Sequence, residues 1–386
     1  MKLEEIFPKS GFSESEIDRF VYSRDGSSYE GKCEAIVWPT HKDQILKLIL
    51  YARRTGNKLT IRGAATSTYG GCVPAEAVVI DISKMNQILA ITNEYVSVQA
   101  GVTLDDLNRA LARGKRTFPI VPPEHAVCTI GGMIATNTLG MDTYYGRMED
   151  WVEEIEVIDG TGKNITLNGD QLKDFVGKEG ITGVIYKAKL KVIPMFSQKT
   201  ISLFKFNTLT SMMDRVKELD SMPNVMSIEF FDEYTSKMLD LGEAFHLLVE
   251  FDDDTGLIQK KDEIESIREL KEKLHHTLVK KKLIHKEDPK IPMQHMAQFL
   301  HWLRKHQIVC YGHLKRRVFH PCFKEHSKRQ QDMYTVVKKL GGRMVAEYPV
   351  GIQRKDLIPE QSRNKLEALK NKYDNQKIMN RGVVID

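Results

Sequence analysis

Ile61-Arg-Gly-Ala-Ala-Thr-Ser-Thr-Tyr-Gly-Gly71 is the stretch that decides how this 386-residue chain folds. It combines three glycines, two alanines and three hydroxyl side chains between two predicted strands. Small residues let the backbone approach a ligand closely and turn its N–H groups toward an anion. The spacing fits neither the P-loop nor the Rossmann glycine pattern. The loop therefore predicts a phosphate-binding segment outside those two classes.

Two further loops have similar chemistry. One covers residues 122–137 and contains a Thr-Ile-Gly-Gly run from Thr129, and the other covers residues 177–185. Each loop alone is weak support for a binding site. Three glycine loops in one region are better explained by one long ligand that is contacted at several points than by three unrelated turns.

The regions around these loops predict a mixture of helices and strands. Branched apolar runs indicate strands, and a spacing of 3.6 residues indicates helices. The predicted strands of the first half are residues 34–38, 58–62, 77–81, 95–99, 151–158 and 164–167, and its predicted helices are 43–54 and 104–113. Beyond Pro194 the predicted strands are 201–206, 227–231 and 246–251, and the predicted helices are 211–219 and 260–282. The fold class is therefore α+β.

Composition and charge limit the remaining possibilities. A chain of this length suggests two or three domains. The net charge is +5, with the first half slightly acidic and the second half basic, and most of the twelve histidines lie between His275 and His326. The five cysteines form no C-x-x-C pair, so neither a disulfide framework nor a thiolate zinc site is expected. No apolar run approaches the roughly 18 residues of a membrane span, and no secretory leader is readable. We expect a cytoplasmic protein, and peripheral association with a membrane surface is also open.

Several segments resemble, in order and spacing, the FAD-binding (PCMH-type) domain of the vanillyl-alcohol oxidase superfamily. They are residues 61–71, 78–89, 96–111, 129–137, 145–146, 155–163 and 177–185, with a closing match at 378–384. The likeness is greatest to the branch of glycolate oxidase flavoprotein subunits and FAD-dependent D-lactate and D-2-hydroxyglutarate dehydrogenases. The resemblance implies a two-subdomain FAD-binding domain over 1–195, with its core at about 30–195. It also implies an α+β substrate or cap domain with an antiparallel sheet over 196–365. A segment at 366–386 would then return to the FAD domain.

The resemblance also implies which residues hold FAD. The diphosphate would be held by Arg62, Gly63, Ala64, Ala65, Thr66, Ser67, Gly70 and Gly71. Phosphate and isoalloxazine would be flanked by Thr129, Gly131, Gly132, Ala135 and Asn137. Gly183 and Ile185 would meet the flavin through backbone groups. Because the first loop contains no histidine, we expect FAD to be bound non-covalently.

Two histidines in the second half suggest a metal site. His313 and His320, together with Glu347, could bind a divalent metal that holds the hydroxyl and carboxylate oxygens of a substrate. Hydrogen-bonded histidines are the simpler alternative. The resemblance matches these three residues with metal ligands of the hydroxy-acid dehydrogenases and implies Zn, Mn or Fe.

Two departures from that branch affect the predicted chemistry. Lys315-Arg316-Arg317 stands where the branch has a glycine- and acid-rich turn, and Tyr348 stands where it has a histidine usually taken as the base. The candidate catalytic residues are therefore His313, His320 and Tyr348. A tyrosine with a pKa near 10 is a poor base at neutral pH unless a cation lowers that pKa.

The predicted activity is oxidation of a small anionic 2-hydroxy acid of the D-lactate, glycolate or D-2-hydroxyglutarate type, with hydride transfer to flavin N5. Guanidinium groups match carboxylates and phosphates, so the candidate substrate ligands are Arg316, Arg317, Arg343 and Arg354, with plain surface charge as the alternative. A different alcohol, or a reduction, is also open. So is an electron-transfer or regulatory subunit beside an iron–sulfur partner. Nucleic-acid binding is disfavoured because basic residues alternate with acids and the three loops would be unexplained.

Overall fold

The computed structural model describes residues 3–195, 199–252, 261–324, 328–345, 347 and 349–385. The chain divides into two compact units. The first consists of Met1–Gly140, Tyr145–Met195 and Pro349–Asp386, and the second of Met141–Tyr144 and Phe196–Tyr348. The return to the first unit thus begins at Pro349, whereas the sequence led us to expect it at residue 366.

The first unit begins with a four-stranded sheet. Its strands are β1 (Phe12–Ser13), β2 (Lys32–Val37), β3 (Lys58–Arg62) and β4 (Ala75–Asp81), in the order β1-β2-β4-β3. Two short helices, α1 (Leu3–Ile6) and α2 (Glu16–Tyr22), precede β2, and α3 (Lys42–Thr55) connects β2 to β3. Both β2 and β3 pair in parallel with β4. The predicted helix at 43–54 is confirmed, and Gly56 ends it in the left-handed conformation with φ 80°.

The second sheet of this unit is antiparallel. Strands follow in the order β5 (Ile88–Ile91), β6 (Tyr95–Gln99), β7 (Arg116–Thr117), β8 (Val152–Asp159), β9 (Asn164–Asn168), β10 (Gly183–Lys191) and β11 (Ile193–Pro194). The sheet order is β5-β6-β10-β8-β9, while β7 pairs with β11. The helices of this region are α4 (Leu104–Ala112), α5 (Ile130–Thr136) and α6 (Met148–Trp151). Thr103 caps α4, because its hydroxyl accepts the Asp106 N–H at 3.2 Å.

The second unit is built on a six-stranded antiparallel sheet. Its strands are β12 (Lys199–Phe206), β13 (Val225–Phe231), β14 (Phe245–Asp252), β15 (His285–Lys286), β16 (Val309–His313) and β17 (Val318–Phe323). They are arranged in the order β12-β14-β13-β16-β17-β15. Its helices are α7 (Leu209–Asp220), α8 (Glu233–Met238), α9 (Lys261–Lys280), α10 (Met296–Lys305) and α11 (Lys328–Lys339). The predicted α+β class and the predicted antiparallel sheet of the second unit are confirmed.

The two faces of this sheet differ in polarity. Side chains alternate between faces along a strand. One face, with Phe230 and Phe319, packs in an apolar core with residues of α7, α10 and α11. The opposite face packs Phe231 and Tyr311 against α9. By the strand register this second face also carries polar side chains, namely Ser227, Glu229, Glu250, His313 and His320.

The C-terminal residues complete the first unit. After α12 (Glu360–Tyr373) the chain runs beside β3, where Leu59 and Met379 form a parallel bridge. The side-chain amide of Asn380 then accepts the Ile61 N–H at 2.8 Å. The strand β3 ends the sheet order, so this segment covers an edge that would otherwise expose unpaired backbone groups. Across the described residues, none of the helices has the length and apolar character needed to cross a bilayer.

The first residue of β10, Gly183, lies where a side chain would not fit. Its φ is +155°, and a Cβ there would lie 2.5 Å from the Ile158 carbonyl oxygen. We expect Gly183→Ala to lower the free energy of unfolding by about 2 to 4 kcal/mol, because both the backbone and its neighbour must shift. Urea denaturation measures this. The matched control is Gly114→Ala, where the nearest heavy atom would be 3.6 Å away. Equal effects of the two substitutions would contradict the steric explanation.

Candidate functional site

The loop after β3 presents a row of backbone donors. The N–H groups of residues 64–67 donate no hydrogen bond to any described residue. Ala65 adopts a positive φ of 56°, and its carbonyl accepts the Gly26 N–H at 3.0 Å. A bend with consecutive outward N–H groups forms a concave site for an anion. The geometry of this loop therefore fits a diphosphate. The Asp25-Gly26 turn that supports it was not singled out from the sequence, although Asp-Gly is a common turn signal.

Gly63 brings the first loop against the second. A Cβ on Gly63 would lie 2.4 Å from the Thr129 hydroxyl oxygen and 3.7 Å from Gly132 Cα. Thr129 caps α5 by accepting the Gly132 N–H at 3.2 Å. The two loops can therefore meet only because residue 63 has no side chain.

Other residues of the second loop form hydrogen bonds within the first unit. Gly131 donates its N–H to the Ala100 carbonyl at 2.7 Å, and a Cβ there would lie 2.7 Å from Ala100 Cβ. Asn137, with φ 50°, accepts hydrogen bonds from the Arg147 guanidinium on its carbonyl and from the Glu149 N–H on its side chain. The Ala135 carbonyl accepts the Glu179 N–H at 2.8 Å. Of the five predicted residues, Thr129 and Gly132 are the two that lie beside Gly63.

The third loop leads into β10. Gly183 lies opposite Asp159 and Ile185 opposite Val157 in the β8–β10 ladder. Ile185 is buried in the main core of the unit. Both residues are therefore part of the sheet that supports the loops.

Glu179 connects these segments and was not recognised from the sequence. It is buried, with φ 48°, and its carboxylate accepts the N–H groups of Val350 at 2.7 Å and Gly351 at 2.9 Å. Burial raises its pKa to about 7, although those N–H groups and the nearby Arg354 oppose the shift. In the same segment Ile352 donates its N–H to the Tyr69 carbonyl at 2.9 Å. The returning chain is thereby tied to both the first and the third loop.

Two of the predicted arginines have partners within the first unit. Arg62 donates to the Arg24 carbonyl at 2.6 Å and lies over the Tyr22 ring. Arg354 is 1% exposed, and its guanidinium carbon lies 5.2 Å from the centre of the Tyr69 ring. Arg354 therefore belongs to the first unit, whereas the other three predicted substrate arginines belong to the second.

The second unit brings His313, His320 and Glu347 together. One ligand atom of each lies within 4.8 Å of the others. The Nε2 atoms of His313 and His320 are 3.7 and 3.3 Å from the same Glu347 carboxylate oxygen. The strands β16 and β17 form a hairpin, with His313 on its first strand and His320 on its second. The hairpin register brings the two imidazoles onto one face of the sheet.

Each histidine of the cluster has an acceptor at its other nitrogen. His313 Nδ1 is 2.5 Å from a Glu229 carboxylate oxygen, and His320 Nδ1 is 3.2 Å from the Glu287 carbonyl. An imidazole that donates from Nδ1 presents an unprotonated Nε2, which is the form that binds metals. The sequence signal for Glu229 was an acid inside a strand that is otherwise largely apolar.

The cluster is strongly coupled electrostatically. Burial raises the pKa of Glu347, but His313, His320 and Arg316 outweigh it and the net shift is well below the ordinary value. Burial lowers the pKa of His313, but Glu229 and Glu347 outweigh it and the net shift is upward. The Arg316 Nε lies 3.0 Å from the second Glu347 oxygen. A cation between the two imidazoles would offset the negative charge of the buried Glu347 carboxylate.

Three predicted residues of the second unit remain. Arg317 and Arg343 are exposed. Tyr348, the candidate base, lies outside the described residues.

Comparisons with known proteins define the class. Residues 33–168 match the family described as FAD binding domain. The fold of alkyldihydroxyacetonephosphate synthase matches with a TM-score of 0.71 at 15% identity, over 98% of this chain and 83% of that one. The chain thus contains an FAD-binding domain, which confirms the cofactor implied by the resemblance seen in the sequence.

Two curated relatives are more specific. The chain is 24% identical to D-lactate dehydrogenase of Archaeoglobus fulgidus, in a match that covers 100% of this chain and 98% of the relative. It is 29% identical to glycolate oxidase subunit GlcD of Bacillus subtilis, over 60% of this chain and 53% of the relative. The second match therefore spans only about half of that protein.

Glu179 gives the first unit a pH dependence with a definite sign. Its native pKa of about 7 lies above the ordinary value of 4.5, so the native state holds the proton more tightly than the unfolded state. The stabilisation is present below pH 4.5 and is lost as the pH rises through 7. We expect wild type to lose about 2.5 kcal/mol relative to Glu179→Gln between pH 5 and pH 8.

Urea denaturation at several pH values measures this difference. Glu14→Gln, a change at an exposed glutamate, controls for the loss of one charge. A stability difference between wild type and Glu179→Gln that stays constant with pH would contradict the assignment.

Proposed function

We propose that the protein oxidises a small anionic 2-hydroxy acid of the D-lactate, glycolate or D-2-hydroxyglutarate type, with FAD as the hydride acceptor. The observation that carries this proposal is the convergence of His313 and His320 on Glu347 in a chain that also has an FAD-binding domain. The names of the two relatives support the substrate class.

The first unit would hold FAD between the first two loops. The donors of residues 64–67 would bind the diphosphate, with Arg62, Gly70 and Gly71 completing the loop. Gly63 and Gly132 would leave room where side chains would otherwise project. Gly183 and Ile185 would support the flavin from the sheet. Bound FAD would supply N5 as the hydride acceptor.

The second unit would hold the substrate. His313, His320 and Glu347 are a suitable ligand set for Zn, Mn or Fe, which as a Lewis acid would polarise the substrate oxygens. Glu229 and the Glu287 carbonyl orient the two imidazoles so that both Nε2 atoms face the ligand position.

Arg316 would orient the substrate carboxylate. Its Nε is occupied by Glu347, and no hydrogen bond from its two terminal nitrogens to a described residue is present. These nitrogens form a planar fork that matches a carboxylate. The hydroxyl proton must pass to a base. Since metal binding would occupy both Nε2 atoms, the candidate acceptor is Tyr348 in its phenolate form, for which the metal or an arginine would have to lower the pKa of the tyrosine.

A second candidate function is an electron-transfer or regulatory subunit that works beside an iron–sulfur protein. The Bacillus relative is named as a subunit, and the match covers 53% of it. The Lys315-Arg316-Arg317 turn and Tyr348 depart from the hydroxy-acid branch, which also favours this alternative.

Flavin reduction by substrate tests the proposed activity directly. We expect the purified protein to be yellow and to lose its flavin absorbance without oxygen when a D-2-hydroxy acid is added, because hydride reaches N5. Absorbance is recorded with D-lactate, glycolate and D-2-hydroxyglutarate, and L-lactate serves as the stereochemical control. Colour that persists with every acid would contradict the proposal and favour the subunit.

Metal binding is tested apart from turnover. We expect His320→Ala to abolish the binding of added Zn²⁺ or Mn²⁺, and Glu229→Gln to weaken it about 10- to 100-fold because His313 loses its orienting partner. Metal content after gel filtration, measured by mass spectrometry, gives the stoichiometry. The control is His301→Ala, at an exposed histidine of the same unit. Equal metal content in all four proteins would exclude the cluster as the metal site.

A further inference from the structure

Positive charge gathers beside the cluster from three separate segments of the second unit. Lys290 forms antiparallel bridges with both Val318 and Arg343. Lys290 and Arg343 exchange backbone hydrogen bonds of 2.8 and 3.0 Å, and the Arg317 carbonyl accepts the Ile291 N–H at 2.9 Å. These contacts bring Lys290, Arg317 and Arg343 together, and we call the three residues the basic rim.

The three basic residues of the turn between β16 and β17 make different contacts. Lys315 donates its ammonium group to the Val225 carbonyl and is thereby committed to the fold. Arg316 contacts Glu347 of the cluster. Arg317 adopts a left-handed conformation with φ 63° and is exposed. Two arginines that are adjacent in sequence are thus available to different groups of a ligand.

Like charges lie close together in the basic rim. Side chains directly opposite in an antiparallel bridge lie side by side, and like charges there are destabilising. Burial and the arginines at 316, 317 and 343 lower the pKa of Lys290. Among the described residues, no acid forms an ion pair with any member of the rim. The nearby Glu347 is already engaged by Arg316 and the two histidines.

We propose that the basic rim binds a second anionic group of the substrate. The preferred substrate is then a 2-hydroxy acid that carries another carboxylate or a phosphate, rather than D-lactate or glycolate. This inference rests on the proposed function, in which the cluster and Arg316 hold the hydroxyl and the first carboxylate. A second oxyanion would offset the repulsion within the rim, and two guanidinium forks suit either group.

Matched substrates test the inference by kinetics. The pairs are D-lactate with D-2-hydroxyglutarate, and D-glycerate with 3-phospho-D-glycerate, followed by dye reduction with the holoenzyme. We expect the doubly anionic member of at least one pair to have the higher kcat/KM, and the pair that shows it tells carboxylate from phosphate. In the double variant R317Q/R343Q we expect KM for that substrate to rise about tenfold or more, with kcat nearly unchanged. The KM of its singly anionic partner should change less than about twofold.

The control variant for the loss of charge and for effects on folding is K338Q/K339Q, which removes two positive charges from exposed positions of α11. This control should leave both KM values unchanged. Equal kcat/KM for both members of each pair in wild type, or an equal rise of both KM values in R317Q/R343Q, would overturn the inference.

Binding of inert anions separates this inference from the proposed function. Calorimetry compares glutarate and inorganic phosphate with pentanoate, none of which carries an oxidisable hydroxyl group. We expect glutarate or phosphate to bind wild type more tightly than pentanoate, and R317Q/R343Q to lose that preference. If no hydroxy acid reduces the flavin but this preference is found, the proposed function fails and the rim remains an anion site. If hydroxy acids are oxidised and no preference is found, the rim is not a substrate site.

Discussion

The close approach of Gly63 to Thr129 is the constraint on which the first unit depends. A side chain at residue 63 would overlap the threonine hydroxyl, so the two loops can meet only at a glycine. The donors of residues 64–67, which bond to no described residue, directly follow the glycine that lies against the start of α5. Glu179 then ties the returning chain to this arrangement, and Asn380 fixes the strand that leads into the first loop. Segments that are far apart in the sequence thereby meet in one region of the first unit.

The cluster of the second unit depends on a different physical constraint, the pairing of buried polar groups. Its sheet is apolar on one face, and the other face mixes apolar residues with buried acids and histidines. Buried polar groups are tolerated only when they are paired, and here each imidazole has an acceptor at Nδ1. The same pairing orients the Nε2 atoms toward Glu347. The contacts that make the burial of the histidines acceptable therefore also hold both Nε2 atoms beside Glu347, as the proposed metal site requires.

Local signals in the sequence were enough to predict much of the fold. The helical spacing of apolar residues at 43–54 and 104–113 is a short-range feature, and the structure places α3 and α4 there. Glu179 and Glu229 were missed because their partners are 171 and 84 residues away. Nothing local distinguishes such acids from solvated ones. Arg354 was grouped with the other arginines by chemistry alone, yet it is buried against Tyr69 in the first unit.

The most direct test of the flavin site is FAD binding by protein stripped of cofactor, followed by fluorescence quenching in wild type and Gly63→Val. We expect wild type to bind one FAD per chain. A valine side chain would push the first loop away from Thr129 and weaken binding about a hundredfold or more, while far-UV circular dichroism stays unchanged. If the folded Gly63→Val protein binds FAD as tightly as wild type, or wild type binds none, these loops do not form the flavin site.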